Sequence, residues 1–134
     1  MVKIQNRTIK GCRPNLRYQR YFDRVNKLYF YGELAPTRVL TAPLLKITSL
    51  SQGAAEEDEN WLDAGDYGIV GIDENGVQSI ILDRGTAVFH SILTKQTIIH
   101  EAIHIYISPY PGHGAKFKKQ IRRVAAMGAL DLLI

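Results

Sequence analysis

Residues 100–104 read His-Glu-Ala-Ile-His, the part of this chain whose types and spacing can do chemistry. Two histidines four apart lie one above the other on a helix face, so both imidazoles can reach a single Zn²⁺ at about 2.0–2.1 Å. Glu101 projects to the side of that pair, placed to take a proton from a water on the metal. A catalytic zinc needs three protein ligands and one open position, because the fourth place holds the water whose pKa the metal lowers to about 7. The chain offers His113 in Pro111-Gly112-His113-Gly114, eight residues beyond His104 with both ends excluded. Pro109, Pro111 and Gly112 in that span can reverse the chain and bring the next helix back over the metal. A bare pattern of this kind is unspecific; the helical context, the turn and His113 are what turn it into a metal-site expectation.

Those residues need a helix to carry them. From about Ser91 to Ile107 there are no turn residues and many isoleucines, and the length and continuity predict a helix, apolar nearly all round and therefore buried. Ser108-Pro109-Tyr110-Pro111-Gly112 must break it, and a last helix follows from about Gly114 to Met127 with Phe117, Ile121 and Val124 inward. Upstream, Tyr18, Phe22, Val25 and Tyr29 recur at spacings of four, three and four, which predicts a helix from about Pro14 to Tyr31 ended by Gly32. Pro14 suits its first turn. Between them, Thr37 to Leu50 reads as an edge strand, because Pro43 is tolerated only at an edge or bulge. The runs Tyr67–Ile72 and Val77–Leu82 flank Asp73-Glu74-Asn75-Gly76 and predict an antiparallel hairpin. The sum is one α+β domain over residues 1–134: an N-terminal helix, a small, mostly antiparallel three-stranded sheet, the buried helix and a C-terminal helix.

Cys12 is the one cysteine, which excludes an intrachain disulfide and a Cys-rich zinc ribbon and fits a reducing compartment. Nothing around it supplies a base, so it reads as a small buried side chain. His90, the fourth histidine, has no partner at ligand spacing and reads as a packed or surface residue. The apolar stretches stop well short of the eighteen or so residues that span a bilayer, and Met1 to Lys10 lacks a secretion signal, so the expectation is a soluble intracellular protein, with no membrane partner and a monomer.

Lys plus Arg number 17 against 13 for Asp plus Glu, but the charge is unevenly spread. Glu56, Glu57, Asp58, Glu59, Asp63 and Asp66 fall in eleven residues without a base, leaving 17 against 7 elsewhere, a net +10. Arg13, Arg17, Arg20, Arg24 and Lys27 gather on the outer side of the first helix, and Lys116, Lys118, Lys119, Arg122 and Arg123 crowd the last. Such faces suit an anionic partner such as nucleic acid, though a solvated, solubilising face accounts for them equally well. The acidic stretch from Gly53 to Asp66 reads as a flexible loop, with a lid or a self-inhibitory mimic of DNA as alternatives.

The sequence resembles the SprT-like (Spartan-type) zinc metalloprotease domains. The likeness is carried by His100-Glu101-Ala102-Ile103-His104, by Asn26-Lys27-Leu28-Tyr29-Phe30-Tyr31-Gly32-Glu33-Leu34-Ala35-Pro36, similar to that family's Asn, aromatic, Gly, Leu, Pro signature, and by Gly112-His113-Gly114-Ala115-Lys116-Phe117, similar to its His-Gly-x-x-Phe element. These cover about residues 22 to 125 in the family's order. The resemblance implies a minimal zincin-like fold, one zinc ion on His100, His104 and His113, Glu101 as general base and acid of peptide hydrolysis, protein substrates, and DNA-associated proteolysis of the crosslink-removing kind. Relatives with a C-terminal cysteine ribbon differ from this chain, so DNA targeting, single-stranded DNA included, would fall to the domain or to a partner. The alternative is a nucleic-acid-binding module with a structural or weakly active zinc site; another zincin family is a third reading. Mn²⁺ or Co²⁺ can also occupy such a nitrogen donor set. For the peptidase, the edge strand near Leu44 to Leu50 would pair with an extended substrate, and Tyr106 and Tyr110 read as packed rather than catalytic.

Overall fold

Asn15 sets where the first helix begins. Its Oδ1 accepts the Tyr18 N–H at 3.0 Å, satisfying one of the donors a helix start leaves open, and α1 runs Leu16–Tyr29. Pro14 is therefore outside the helix, in the two-residue strand β1 (Arg13–Pro14), not in the first turn as its φ preference suggested. The computed structural model describes residues 11–43, 61–64, 68–72, 78–108 and 112–131, with 61–64 and 72 described through the backbone. Tyr18, Tyr21, Phe22, Val25 and Tyr29 form the buried face of α1, the expected four joined by Tyr21. The helix stops where Tyr31 (φ 58°) and Gly32 (φ 74°) turn left-handed, a conformation glycine adopts without strain.

The domain is α+β, with a mixed sheet in the order β1–β2–β5–β4–β3, where β2 is Thr37–Ala42, β3 Trp61–Ala64, β4 Gly68–Ile72 and β5 Gln78–Asp83. Five strands replace the expected three; β1 is so short that four supply nearly all the pairing. The β4–β5 hairpin is antiparallel as expected, with Ile72 opposite Gln78, and its turn lies outside the described residues. β2 departs from expectation in two ways. It ends at Ala42, before Pro43, and it is internal, parallel to β5 on one side and antiparallel to β1 on the other. Beyond β1 its outer rim is closed by side-chain and turn atoms: Gln19 Nε2 donates to Thr37 O at 3.0 Å, Gln19 Oε1 accepts from Val39 N at 2.7 Å, and Asn15 N donates to Val39 O at 3.1 Å. The expected continuation over residues 44–50 lies outside the described residues.

β3 falls inside the stretch expected to be a flexible acidic loop. Trp61, Leu62 and Ala64 around Asp63 carry enough strand character to pair with β4, with a register shift between Trp61 and Asp63. Residues 53–60 and 65–66 of that stretch are not described. A short helix, α2 (Arg84–Phe89), was also unexpected; Asp83 starts it, its Oδ2 accepting from Thr86 N at 3.0 Å and from Thr86 Oγ1 at 2.6 Å.

The helix that matters most, α3, runs Ser91–Ile107, the bounds the sequence predicts, and α4 runs Ala115–Ala126. α3 touches α1, α2, α4 and three strands, which is why residues on nearly every side of it, among them Ile98, Ile99, Ala102, Ile103 and Ile105, are buried. It lies so close to β4 that a Cβ at Gly68 would come within 2.9 Å of Thr97 Cγ2. Phe117 and Val124 of α4 face inward with Ile121 half-buried. Among the described residues no helix is long and apolar enough to cross a membrane.

Candidate metal centre

His100 and His104 stand one turn apart on α3, and His113 stands two residues ahead of α4. Gly112, with φ 79°, makes the left-handed bend just before it. The three Nε2 atoms converge: 3.2 Å from His100 to His104, 3.1 Å from His104 to His113 and 3.0 Å from His113 to His100. A tetrahedral ion with bonds of 2.0–2.1 Å holds its nitrogens ~3.3 Å apart, so the triangle is close to the size a small cation needs.

The donor set fits an ion better than it fits hydrogen bonding among the rings. A neutral imidazole Nε2 is either a donor or an acceptor. Among three mutual neighbours at least one pair must then be like facing like, whereas a cation takes the lone pairs of all three. The trio could hold a metal ion. His104 is buried, His100 half-buried and His113 exposed, so the site opens to water on the His113 side.

Phe117 fixes the arrangement from below. Its ring centre lies 5.0, 4.9 and 4.8 Å from those of His100, His104 and His113, which are themselves 4.8–4.9 Å apart. A ring equidistant from three others closes one side of their triangle and restricts all three at once. The sequence marks Phe117 as inward; that it touches every imidazole depends on how α4 is set down on α3.

Glu101 sits on α3 beside His100 and is 2% exposed. Glutamates are rarely so fully buried unless paired. Behind the site, Phe30 packs on Tyr106 with ring centres 5.1 Å apart, and the Arg123 guanidinium lies 5.3, 5.5 and 5.4 Å from the rings of Phe30, Tyr31 and Tyr106. Asn26 holds this corner together: its carbonyl accepts from Phe30 N and Gly32 N, each at 3.0 Å, and its Oδ1 accepts from Leu34 N at 3.1 Å. The segment from Asn26 to Pro36 thus sets Phe30 against Tyr106 of α3 and Arg123 of α4. Tyr106 belongs to that packing, while Tyr110 lies outside the described residues.

The remaining expectations divide by exposure. Arg13, Arg17, Arg20, Arg24 and Lys27 on the α1 side and Lys116, Lys118, Lys119 and Arg122 on α4 are exposed. Arg123 is half-buried among aromatics and also donates to Gln120 Oε1 at 2.6 Å, so it faces the core, unlike its neighbours. His90 is exposed at the junction of α2 and α3, away from the trio, and Cys12 is buried. Lys95, which the sequence did not single out, stands on α3 beside the α1 arginines; no periodicity within one helix could have paired it with them. No family model matches the chain, and neither a curated protein nor a solved structure matches it.

Proposed function

We propose that the chain is a zinc-dependent metallopeptidase acting on protein substrates, of the SprT-like zincin kind that its three sequence elements resemble. The observation that carries this reading is the convergence of His100, His104 and His113 to within 3.2 Å, with buried Glu101 next in sequence to the first of them. Zinc held there would polarise the scissile carbonyl and acidify a water at its open position. Glu101 takes the proton of the attacking water and returns it to the leaving amine. His104, buried against Phe117, keeps its orientation through the reaction, and the exposed His113 side is where substrate arrives. Replacing Glu101 with Gln should leave the metal in place and lower cleavage of an unfolded casein-type substrate by about 10²–10⁴-fold. Unchanged cleavage in that variant would eliminate the mechanism.

The second reading, a nucleic-acid-binding module with a structural or weakly active zinc site, draws on the exposure of Arg13 in β1, of four cations along α1 and of four along α4. It is compatible with the first, since a protease can be held on DNA by such a surface. Affinity for single-stranded DNA should then fall steeply with added salt, and an affinity insensitive to salt would remove it.

A further inference from the structure

Tyr31 is a strained residue in an exposed place. Its φ of 58° is left-handed, a backbone that costs a bulky side chain strain and persists only where the surroundings impose it. Glycine or asparagine would hold the turn more cheaply, and Tyr31 is 61% exposed, so burial of an apolar side chain does not account for it. Its ring faces a cation instead. The Arg123 guanidinium carbon lies 5.5 Å from the centre of the Tyr31 ring, 5.3 Å from that of Phe30 and 5.4 Å from that of Tyr106, all within reach of a cation–π contact. Arg123 Nε donates to Gln120 Oε1 at 2.6 Å, while its Nη2 is buried and finds no hydrogen-bond partner among the described residues. On that side the guanidinium meets aromatic faces.

The rings come from two parts of the fold. Phe30 and Tyr31 follow directly on α1, and Tyr106 stands on α3 two residues after His104. Arg123 therefore ties α4 to the helix that carries two of the imidazoles and to the end of α1. Phe117, six residues earlier and about 9 Å along α4, is a second fastening, against the imidazoles themselves. A helix fastened at one point can swing about it; fastened at two it cannot. His113 precedes α4 by two residues and is exposed, so the seat of α4 decides where its ring lies. Zinc–nitrogen distances hold to within about 0.2 Å, and a small shift of His113 takes it out of the donor set.

We infer that Tyr31 and Arg123 are positioning residues of the metal centre: their stack seats α4 on α3 and thereby brings His113 to the ion shared with His100 and His104. The inference rests on the metal reading of the trio and adds two residues outside the ligand set. Zinc affinity of the metal-stripped full chain, measured by competition with a chromophoric chelator, tests it, with thermal melting of each variant alongside. Arg123→Met and Tyr31→Asn should each weaken zinc binding at least about tenfold. Tyr31→Phe, which keeps the ring and loses only the hydroxyl, should stay within about threefold of the parent. Tyr31→Asn separates the two roles, because asparagine accepts the left-handed backbone: a residue that only made the turn would be replaced with no loss of melting temperature and none of zinc. Ile81→Val, a buried change in β5, lowers stability without touching the stack and should leave zinc affinity unchanged. Should Arg123→Met not fold, Tyr31→Asn must still weaken zinc. Parent affinity in either folded variant, or an equal loss in Ile81→Val, would overturn the inference and leave the metal site standing; a parent that binds no zinc would overturn both.

Discussion

Tyr21 carries a buried hydroxyl that finds no hydrogen-bond partner among the described residues, and burial, reinforced by Tyr29, pushes its pKa up to about 12. An unsatisfied buried hydroxyl costs about 1–3 kcal/mol, so Tyr21→Phe should raise stability by about 1 kcal/mol in a denaturant titration. The same residue sets an alkaline limit. Because the folded state holds this proton more tightly than the unfolded chain does, the unfolded state gains as pH rises from about 10, and stability goes on falling until the folded-state value of about 12 is passed. Melting curves between pH 10 and 12 should show Tyr21→Phe losing less stability than the parent; identical losses would mean the hydroxyl is not buried as described. At this scale the histidines were legible, because an i, i+4 pair is a geometric statement whatever the fold. Tyr21 was passed over although it stands three residues after Tyr18 and four before Val25, because the stripe also closes through its neighbour Phe22; with both buried the face is wider than a single row of apolar residues indicates.

Among the elements, α3 was readable to the residue because a long run without turn residues leaves a helix few alternatives. β3 was hidden by the acids around it, and α2, whose six residues include Gly85 and the β-branched Thr86 and Val88, begins at the Asp83 cap. The parallel pairing of β2 with β5 brings together strands far apart in sequence, and no local pattern announces it. It also makes β2 internal, with Gln19 standing in for a neighbouring strand, so Thr37–Ala42 offers no free edge to an extended substrate on that side. The closeness of α3 to the sheet gives a sharper test. Gly68→Ala sets a methyl 2.9 Å from Thr97 Cγ2 and 3.4 Å from Ile81 O, and should cost about 1–3 kcal/mol in chemical denaturation. Combining it with Thr97→Ser, which removes the opposing methyl, should recover part of that loss; no loss in the single variant would place α3 farther from β4 than described.

In the molecule as a whole, the sheet, α1 and the Asn26–Pro36 turn pack against α3 and α4, and three imidazoles meet where α3 and the start of α4 converge. The turn does this through Phe30 and the Arg123 stack behind α3, which gives a physical reason for an asparagine, aromatics and a glycine to stand together so far from the histidines in sequence. Charge is distributed on a separate plan: the cations of α1 and all those of α4 but Arg123 face outward, and Arg17, Arg20 and Arg24 line a pocket with Lys95. Helix and sheet can be right in every bound and the account still fail if no ion is held. The direct measurement is therefore elemental analysis of the purified protein beside His113→Ala, after dialysis against metal-free buffer. About one zinc per chain is expected in the parent and only a small fraction of that in the variant, with both melting as folded proteins. A parent without metal, or a variant that keeps its full equivalent, would overturn the metal site.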